Sequence, residues 1–502
     1  MQSYQYSEPH SGSHVQFSPD GRLLASAVAY RLLLRDALTL QIVQLYSCVD
    51  AIDGLEWSHD SAFVLCIISK RGVAQVWSVS DAEWHCKIDE GPVGLAHARW
   101  SPDGRHVLAA ADFNLRITIW SLLDRSVYYI RYPKFSREGL DFSRDGSLMV
   151  LAERREFRDT INVFECDGWV PLRSFGVATQ DLADVKWSPD GSVLCVVDTI
   201  LQYQVLLYTA AGVHLQTYRP YEHALGVKTY SWSPSGQLLA LGSYDEKIRI
   251  LNNITWQRLA ECEHPTALGK DFAPCVVVWH EPTSAGVEES GTLNDFTVDA
   301  SFEDVADATR DVASSGLAAG YLARQLPIIV PTARPNLDKP NPKVGVGLLL
   351  WSAGGHYLAT RNDNMPRALW VWDSESFCLH SILLQQQARV PHLLSVLRCE
   401  RICYGSGAHV SRASCRCPEM VHLVQAIRTA VWHPSLQILA LCTNSTRIFL
   451  WSPRGCHTAP LPQVHGFRVC AMSWSPEGNI LLLLDRERFC LCFIELPADV
   501  EP

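Results

Sequence analysis

One short phrase recurs along this 502-residue chain and limits what the chain can become. "FSPDGRLLASAVAY" begins at Phe17, "WSPDGRHVLAAADF" at Trp100 and "FSRDGSLMVLAERREF" at Phe142. "WSPDGSVLCVVDTI" follows at Trp187, "WSPSGQLLALGSYD" at Trp232 and "WSPEGNILLLLDRE" at Trp474. Weaker versions start at Trp57, Trp351 and Trp432. The nine aromatic anchors stand 40, 43, 42, 45 and 45 residues apart, then 119, 81 and 42. A sentence rewritten at a fixed spacing describes a structural unit that must stack on copies of itself.

Each unit reads as four short strands. A brief apolar alternation, as in "VKTYSW" (Val227–Trp232), leads to the anchor. Ser-Pro-Asp-Gly then turns the chain: proline fixes φ, aspartate bonds backbone in an Asx turn, and glycine accepts positive φ. An aliphatic strand follows, then an alternating one such as "RITIWS" or "LWVWD", then a more polar outer strand such as "AEWHCKIDE". No such sheet can bury both faces alone, so the units close into a ring. The chain is therefore all-β, a propeller of divergent blades, with about nine blades in one large closed ring. Two propellers are the alternative, with the 119-residue gap hiding further blades. In that gap "CVVVWHEP" (275–282) reads as the start of a degenerate blade completed by "LPIIVP" (326–331). The last anchor leaves too few residues for a fourth strand, so "SYQYSEP" (3–9) is expected to supply it and close the ring.

Two stretches interrupt the period. Blades occupy 1–280, an acidic Ser/Ala/Gly-rich insertion 281–342, and the remaining blades 343–502, broken by an atypical segment at about 388–424. The first insertion reads as a mobile loop. Its "FEDVADATRDVA" has helical spacing, with Phe302, Val305 and Val312 available to a partner. The second holds Cys399, Cys403, Cys415 and Cys417 near His409. A zinc loop would need tighter pairs than C-x₃-C and C-x-C. Deleting it joins "LLQQQ" to "AIRTAVWHP" and restores the repeat, as a splice variant or retained non-coding sequence would explain.

Composition narrows the function. A net charge of −10 and a pI near 6.0 argue against nucleic acid and acidic lipid as partners. The first residues carry no secretion signal, and no apolar run reaches eighteen residues, so a cytoplasmic chain with reduced thiols is expected despite 17 cysteines. No phosphate-cradling loop, nucleophile elbow or metal-binding helix motif occurs. Asp20, Asp103, Asp145 and Asp190 hold equivalent turn positions, which favours turn formation over metal binding. His85, Cys86, Asp89 and Glu90 lie on one strand, where alternate side chains diverge. "RNDNMPRALWVWD" (361–373) reads as a polar rim loop or a long turn. No enzyme activity, cofactor, metal or small-molecule substrate is expected.

At these residues the chain resembles the WD-repeat (WD40) family. Only Trp372–Asp373 carries the eponymous dipeptide, and the usual Gly-His ahead of each blade is mostly missing. That departure puts the family's internal hydrogen-bond network in doubt. Several non-turn stretches resemble the centrosomal branch of the family: "RDALTLQIVQLYSCVDAIDGLEWS" (35–58), "EWHCKIDEG" (83–91), "GSYDEKIRILNNITW" (242–256) and "FCLCFIE" (489–495). This resemblance implies an adaptor of the centrosome, centriolar satellites and spindle poles. Its partner would be a coiled-coil anchoring protein, and its work microtubule minus-end anchoring, spindle organisation and cilium assembly. The alternative is a ubiquitin-ligase substrate receptor or a translation-associated propeller. Within the phrase at Phe142, "LAERRE" (151–156) puts charges where other blades are apolar or small. Arg154 and Arg155 are therefore the candidate partner-binding residues.

Overall fold

The computed structural model describes residues 2–6 by their backbone, and 14–269, 276–280, 321–324, 326–335, 343–385, 426–443, 447–461 and 467–494. Eight four-stranded antiparallel sheets and one six-stranded sheet carry the nine anchors. The blades span 15–47, 54–89, 97–131, 140–176, 184–218, 227–263, 346–384, 429–460 and 471–494. Among the described residues the helical pieces are three single 3-10 turns, at Ser69–Arg71, Gly91–Val93 and Asp112–Asn114.

Nine buried apolar clusters fill the nine junctions between blades. Leu65 and Val76 meet Ala98 and Trp100 between blades two and three. Val150 and Ile161 meet Val185 and Trp187 between four and five. Val15 and Leu24 meet Leu482 and Phe489 between one and nine. That last junction makes the array one closed ring of nine blades rather than two propellers. The first strand, Gln2–Tyr6, pairs antiparallel with Phe489–Ile494 as the outer strand of blade nine, so the ring is fastened by the chain itself and no edge strand is left at the seam.

The anchor explains why tryptophan dominates. Indole Nε1 of Trp57 donates to the Gln16 carbonyl of the preceding blade, at 3.2 Å. Trp100 does the same to Glu56, Trp351 to Ser231, Trp432 to Leu350 and Trp474 to Val431, at 3.1–3.3 Å. Each acceptor is the residue just before the preceding anchor. The corner beside it is equally regular. Ser143 donates to Asp145 at 2.5 Å and accepts the Leu148 N–H at 2.9 Å. Gly146 donates to the Ser143 carbonyl at 2.9 Å. It holds φ at 73°, and a Cβ there would sit 2.8 Å from Pro102 of the preceding corner. Asp20, Asp103 and Asp190 repeat this geometry.

The internal network survives in altered chemistry. In the Trp372 blade, Trp372 Nε1 donates to the Thr360 hydroxyl at 2.9 Å, and Thr360 meets His264 Nε2 at 3.0 Å. Burial pushes the His264 imidazole down to about 4, so it is neutral and its Nδ1 pairs with the Glu246 carbonyl at 2.9 Å. In blade three a buried Glu90 takes the histidine's place. It accepts from Thr118 at 3.0 Å and Trp120 Nε1 at 2.8 Å, and it faces Arg116 at 3.1 Å.

The segment expected to open a degenerate blade does not do so. Val277–His280 runs parallel to Leu379–Leu384 and antiparallel to Leu322–Arg324, widening blade seven at its outer edge. An extra strand on an existing edge satisfies its backbone without needing a new apolar face to cover. His280 and Leu322 are paired, so both ends of 281–320 stand side by side. Likewise Gln385 N bonds the Arg367 carbonyl and Ile427 N the Pro366 carbonyl, which brings together the two ends of 386–425. The acidic stretch and the zinc-loop cysteines lie outside the described residues.

Replacing Trp100 with phenylalanine removes a donor and leaves the Glu56 carbonyl unpaired, so the urea midpoint should fall by about 1–2 kcal/mol equivalent. Trp232→Phe should cost less, because the Trp232 Nε1 has no partner to lose. Equal losses would remove the indole–carbonyl bond as the reason for tryptophan.

Candidate protein-interaction face

Strand direction sorts the loops onto two faces. The Ser-Pro-Asp-Gly corners and the third-to-fourth turns share one face. The second-to-third turns and the connections between blades share the other. Arg154 and Arg155 end the strand Leu148–Arg155 on this second face, where 281–320 and 386–425 also leave the ring.

The innermost strands come first, because their charges line the rim of the ring. The residue before each anchor points toward the next blade. In blades two to five it alternates in sign: Glu56, Arg99, Asp141, Lys186. Glu56 accepts the Trp100 N–H at 3.3 Å and Asp141 the Trp187 N–H at 2.8 Å. Arg99 lies 5.1 Å from the Phe142 ring centre and Lys186 4.9 Å from that of Tyr230. In blades seven and eight the same position holds Leu350 and Val431, which pack on the next anchor. These groups hold neighbouring blades together. Burial lifts the Glu56 carboxyl to about 7, against the pull of Arg99, the Trp100 N–H and Arg137. Burial, with Arg137 and Arg99 adding to it, pushes His97 down to about 4.

Arg154 is less free than its sequence position suggests. It is paired with Asp181 and lies 3.8 Å from Asp159. Lys134 bridges the same two carboxylates at 2.8 Å each. Asp159 also accepts from Thr179 at 2.9 Å and the Leu182 N–H at 2.7 Å. The cluster clamps blade four to the connection that enters blade five. Lys134 first, then Arg154, holds the Asp181 carboxyl below its usual range. Arg155 is different. Its side chain is 60% exposed, pairs with Glu153 at 2.9 Å and lies 5.6 Å from the Tyr132 ring centre. Sequence reasoning placed the two arginines together; the strand's alternation separates them into a clamp and a surface group.

Other polar stretches are likewise committed. His85 stacks on Trp77, Lys87 pairs with Asp89, and Glu90 turns inward. In the rim loop, Asp363 joins Arg361 to Lys228 of blade six at 3.0 and 2.7 Å, and Asn362 reaches Glu246 at 2.8 Å. No group of three His, Cys, Asp or Glu among the described residues is arranged to hold a metal ion. Among the same residues no helix is long and apolar enough to cross a membrane. What sequence reasoning missed lies at the hairpin tips. Phe113 and Phe157, in adjacent blades, stand 92% and 91% exposed at positive φ. The only signal available was a phenylalanine inside an otherwise polar turn, "DFN" and "REFR".

In sequence the chain is similar to known WD-repeat proteins. The family described as WD domain, G-beta repeat matches residues 212–252, from the outer strand of blade five through the third strand of blade six. The mouse WD repeat-containing protein WRAP73 is 41% identical over 485 residues, covering 97% of this chain and 94% of that protein. An uncharacterized WD repeat-containing protein of Schizosaccharomyces pombe is 24% identical over 339 residues, 66% of this chain and 59% of that protein. Among solved structures, the Cps50 (Swd1) beta-propeller domain of Myceliophteria thermophila aligns with a TM-score of 0.35 and 13% identity, over 52% of this chain and 90% of that one.

Two measurements check this account. A carboxyl raised in the fold favours its neutral form, so the contribution of Glu56 is complete below its ordinary value and is lost as pH rises through about 7. Glu56→Gln should therefore melt with the parent at pH 5 and above it at pH 8; a difference independent of pH would refute the assignment. Arg154→Glu should lose about 1–3 kcal/mol, less than for a fully buried pair because Arg154 is partly exposed. Arg155→Glu should change stability by less than about 1 kcal/mol.

Proposed function

The chain belongs to the WD-repeat proteins, and from that premise we propose that it is a non-enzymatic adaptor of the centrosome, centriolar satellites and spindle poles. It binds a coiled-coil anchoring protein there. Through that partner it anchors microtubule minus ends, organises the spindle and supports cilium assembly. The observation that carries the adaptor reading is the distribution of polar chemistry. The buried and rim polar groups described above are spent on joining blades, whereas the departures from the repeat sit at hairpin tips. A rigid ring with variable tips is a docking platform. The centrosomal part rests on the stretches 35–58, 83–91, 242–256 and 489–495, which lie outside the corners that any blade requires. Arg155 belongs to the proposed partner-binding surface; Arg154 contributes by holding the blade beneath it.

One observation favours a second reading. Nine blades exceed the usual four to eight, and large divergent propellers also serve as ubiquitin-ligase substrate receptors and in translation. Affinity purification of the full chain from dividing cells, with microscopy of the same tagged chain, separates the readings. Recovery of centrosomal coiled-coil proteins and a focused signal at spindle poles is the expected result. Ribosomal subunits or a cullin adaptor, without centrosomal proteins, would overturn it in favour of the second.

A further inference from the structure

Two hairpin tips on one face break the same local rule. In blade four the turn between the second and third strands is Glu156-Phe157, with φ of 48° and 63°. In blade three the matching turn holds Phe113 at 58° and Asn114 at 53°. Turns of this handedness favour Asn and Gly, and a bulky residue at positive φ is strained. Packing does not repay the strain, because both rings project into solvent. Strain kept at an exposed aromatic marks a group held for something outside the fold.

The two tips form one ridge. Tyr132, also at positive φ and mostly exposed, lies between them. Its N–H donates to the Leu115 carbonyl, two residues from Phe113, at 3.3 Å. Its ring faces the Arg155 guanidinium, two residues from Phe157. The cations around this ridge are unbalanced. Arg116 stands directly across from Arg131, and Arg155 from Arg158, and like charges so placed repel. Glu90 relieves Arg116 and Glu153 relieves Arg155. Arg131 and Arg158 have no anionic partner among the described residues.

We infer that the ridge Phe113–Tyr132–Phe157 is a docking surface for an acidic amphipathic protein segment, whose apolar stripe covers the three rings and whose flanking carboxylates pair with Arg131 and Arg158. Charge selects this occupant. Two uncompensated arginines with Glu156 between them do not make the continuous basic track that a phosphate backbone or an anionic bilayer needs. On the opposite face, exposed Leu123, Val213 and Ile254 occupy the third-to-fourth turns of three different blades, the scattered pattern of an ordinary surface.

The inference rests on the adaptor reading but not on its centrosomal part. The test places photoreactive p-benzoylphenylalanine at position 132 of the full chain in dividing cells and identifies the crosslinked peptides by mass spectrometry. The expected product is a segment of another protein rich in Asp and Glu, with apolar residues three and four apart. Its yield should fall at least about tenfold, the loss of an aromatic anchor, in Phe157→Gly. It should fall similarly in the Arg131→Glu, Arg158→Glu double variant, and persist in Arg158→Lys. Glycine suits the turn, so Phe157→Gly should melt at or above the parent, which separates lost docking from lost folding. Crosslinks to lipid, to nucleic acid, to 281–320 of the same chain or to peptides without excess carboxylates would overturn the inference, as would a yield indifferent to Phe157→Gly. An acidic segment from a protein unrelated to the centrosome would keep this inference and defeat the centrosomal reading. Centrosomal recovery that survives Phe157→Gly would do the reverse.

Discussion

The indole–carbonyl bond between neighbouring blades is the constraint on which the rest of the ring depends. Five anchors use it, and each spans from one innermost strand to the one before. A tryptophan there fills the apolar junction and satisfies a carbonyl that the innermost strand would otherwise leave unpaired at the rim. This double role ties anchor, corner and spacing together at those five junctions; Trp187 and Trp232 fill theirs with the indole ring but make no such bond. Where the anchor is Phe17 or Phe142, no such donor exists. At Phe17 the compensation is covalent, because residues 2–6 are woven into blade nine. At Phe142 the Arg99 side chain, over the ring and 3.5 Å from the Leu140 carbonyl, spans the junction instead.

The buried polar network shows what a divergent repeat must keep. In His264–Thr360–Trp372 the indole donates to the hydroxyl, which meets the imidazole, whereas Glu90 accepts from both the Thr118 hydroxyl and the Trp120 indole. In blade two the position falls to the buried thiols of Cys48 and Cys66, whose mutual interaction lowers the first and raises the second. Where the network persists, different residues meet the same need for a hydrogen-bonded buried group, whereas the Trp77 and Trp451 indoles at the equivalent position have no hydrogen-bond partner among the described residues. A motif can therefore fade while the fold persists. That is why the nearly missing Gly-His dipeptide misrepresents how much of the network remains.

The fold was legible because period and turn chemistry are local properties, written into consecutive residues such as 142–157. Closure by the N-terminal strand followed from counting strands after Trp474, and the structure bears it out. The fate of 275–282 was not legible, because a short apolar run carries no record of which edge it will join. The surface was read only in part. "LAERRE" drew attention to one hairpin as a unit, yet its two arginines play different parts, since Arg154 meets Asp181 from the next connection. Phe113 and Phe157 were invisible as a pair, because 44 residues separate them along the chain and only stacked blades set their tips side by side.

By itself the sequence determined that this chain is built of about nine β-blades and that its acidic turn residues build corners, and its charge set the expectation of protein partners rather than polyanions. Those conclusions depend on spacing, turn propensity and charge, all additive along the chain. The tertiary structure alone decided that the ring is single, which charges are spent on joining blades, and which side chains remain exposed. Each of those depends on pairs of residues from different blades, whose distance is set by how sheets twist and stack and by nothing in the local sequence.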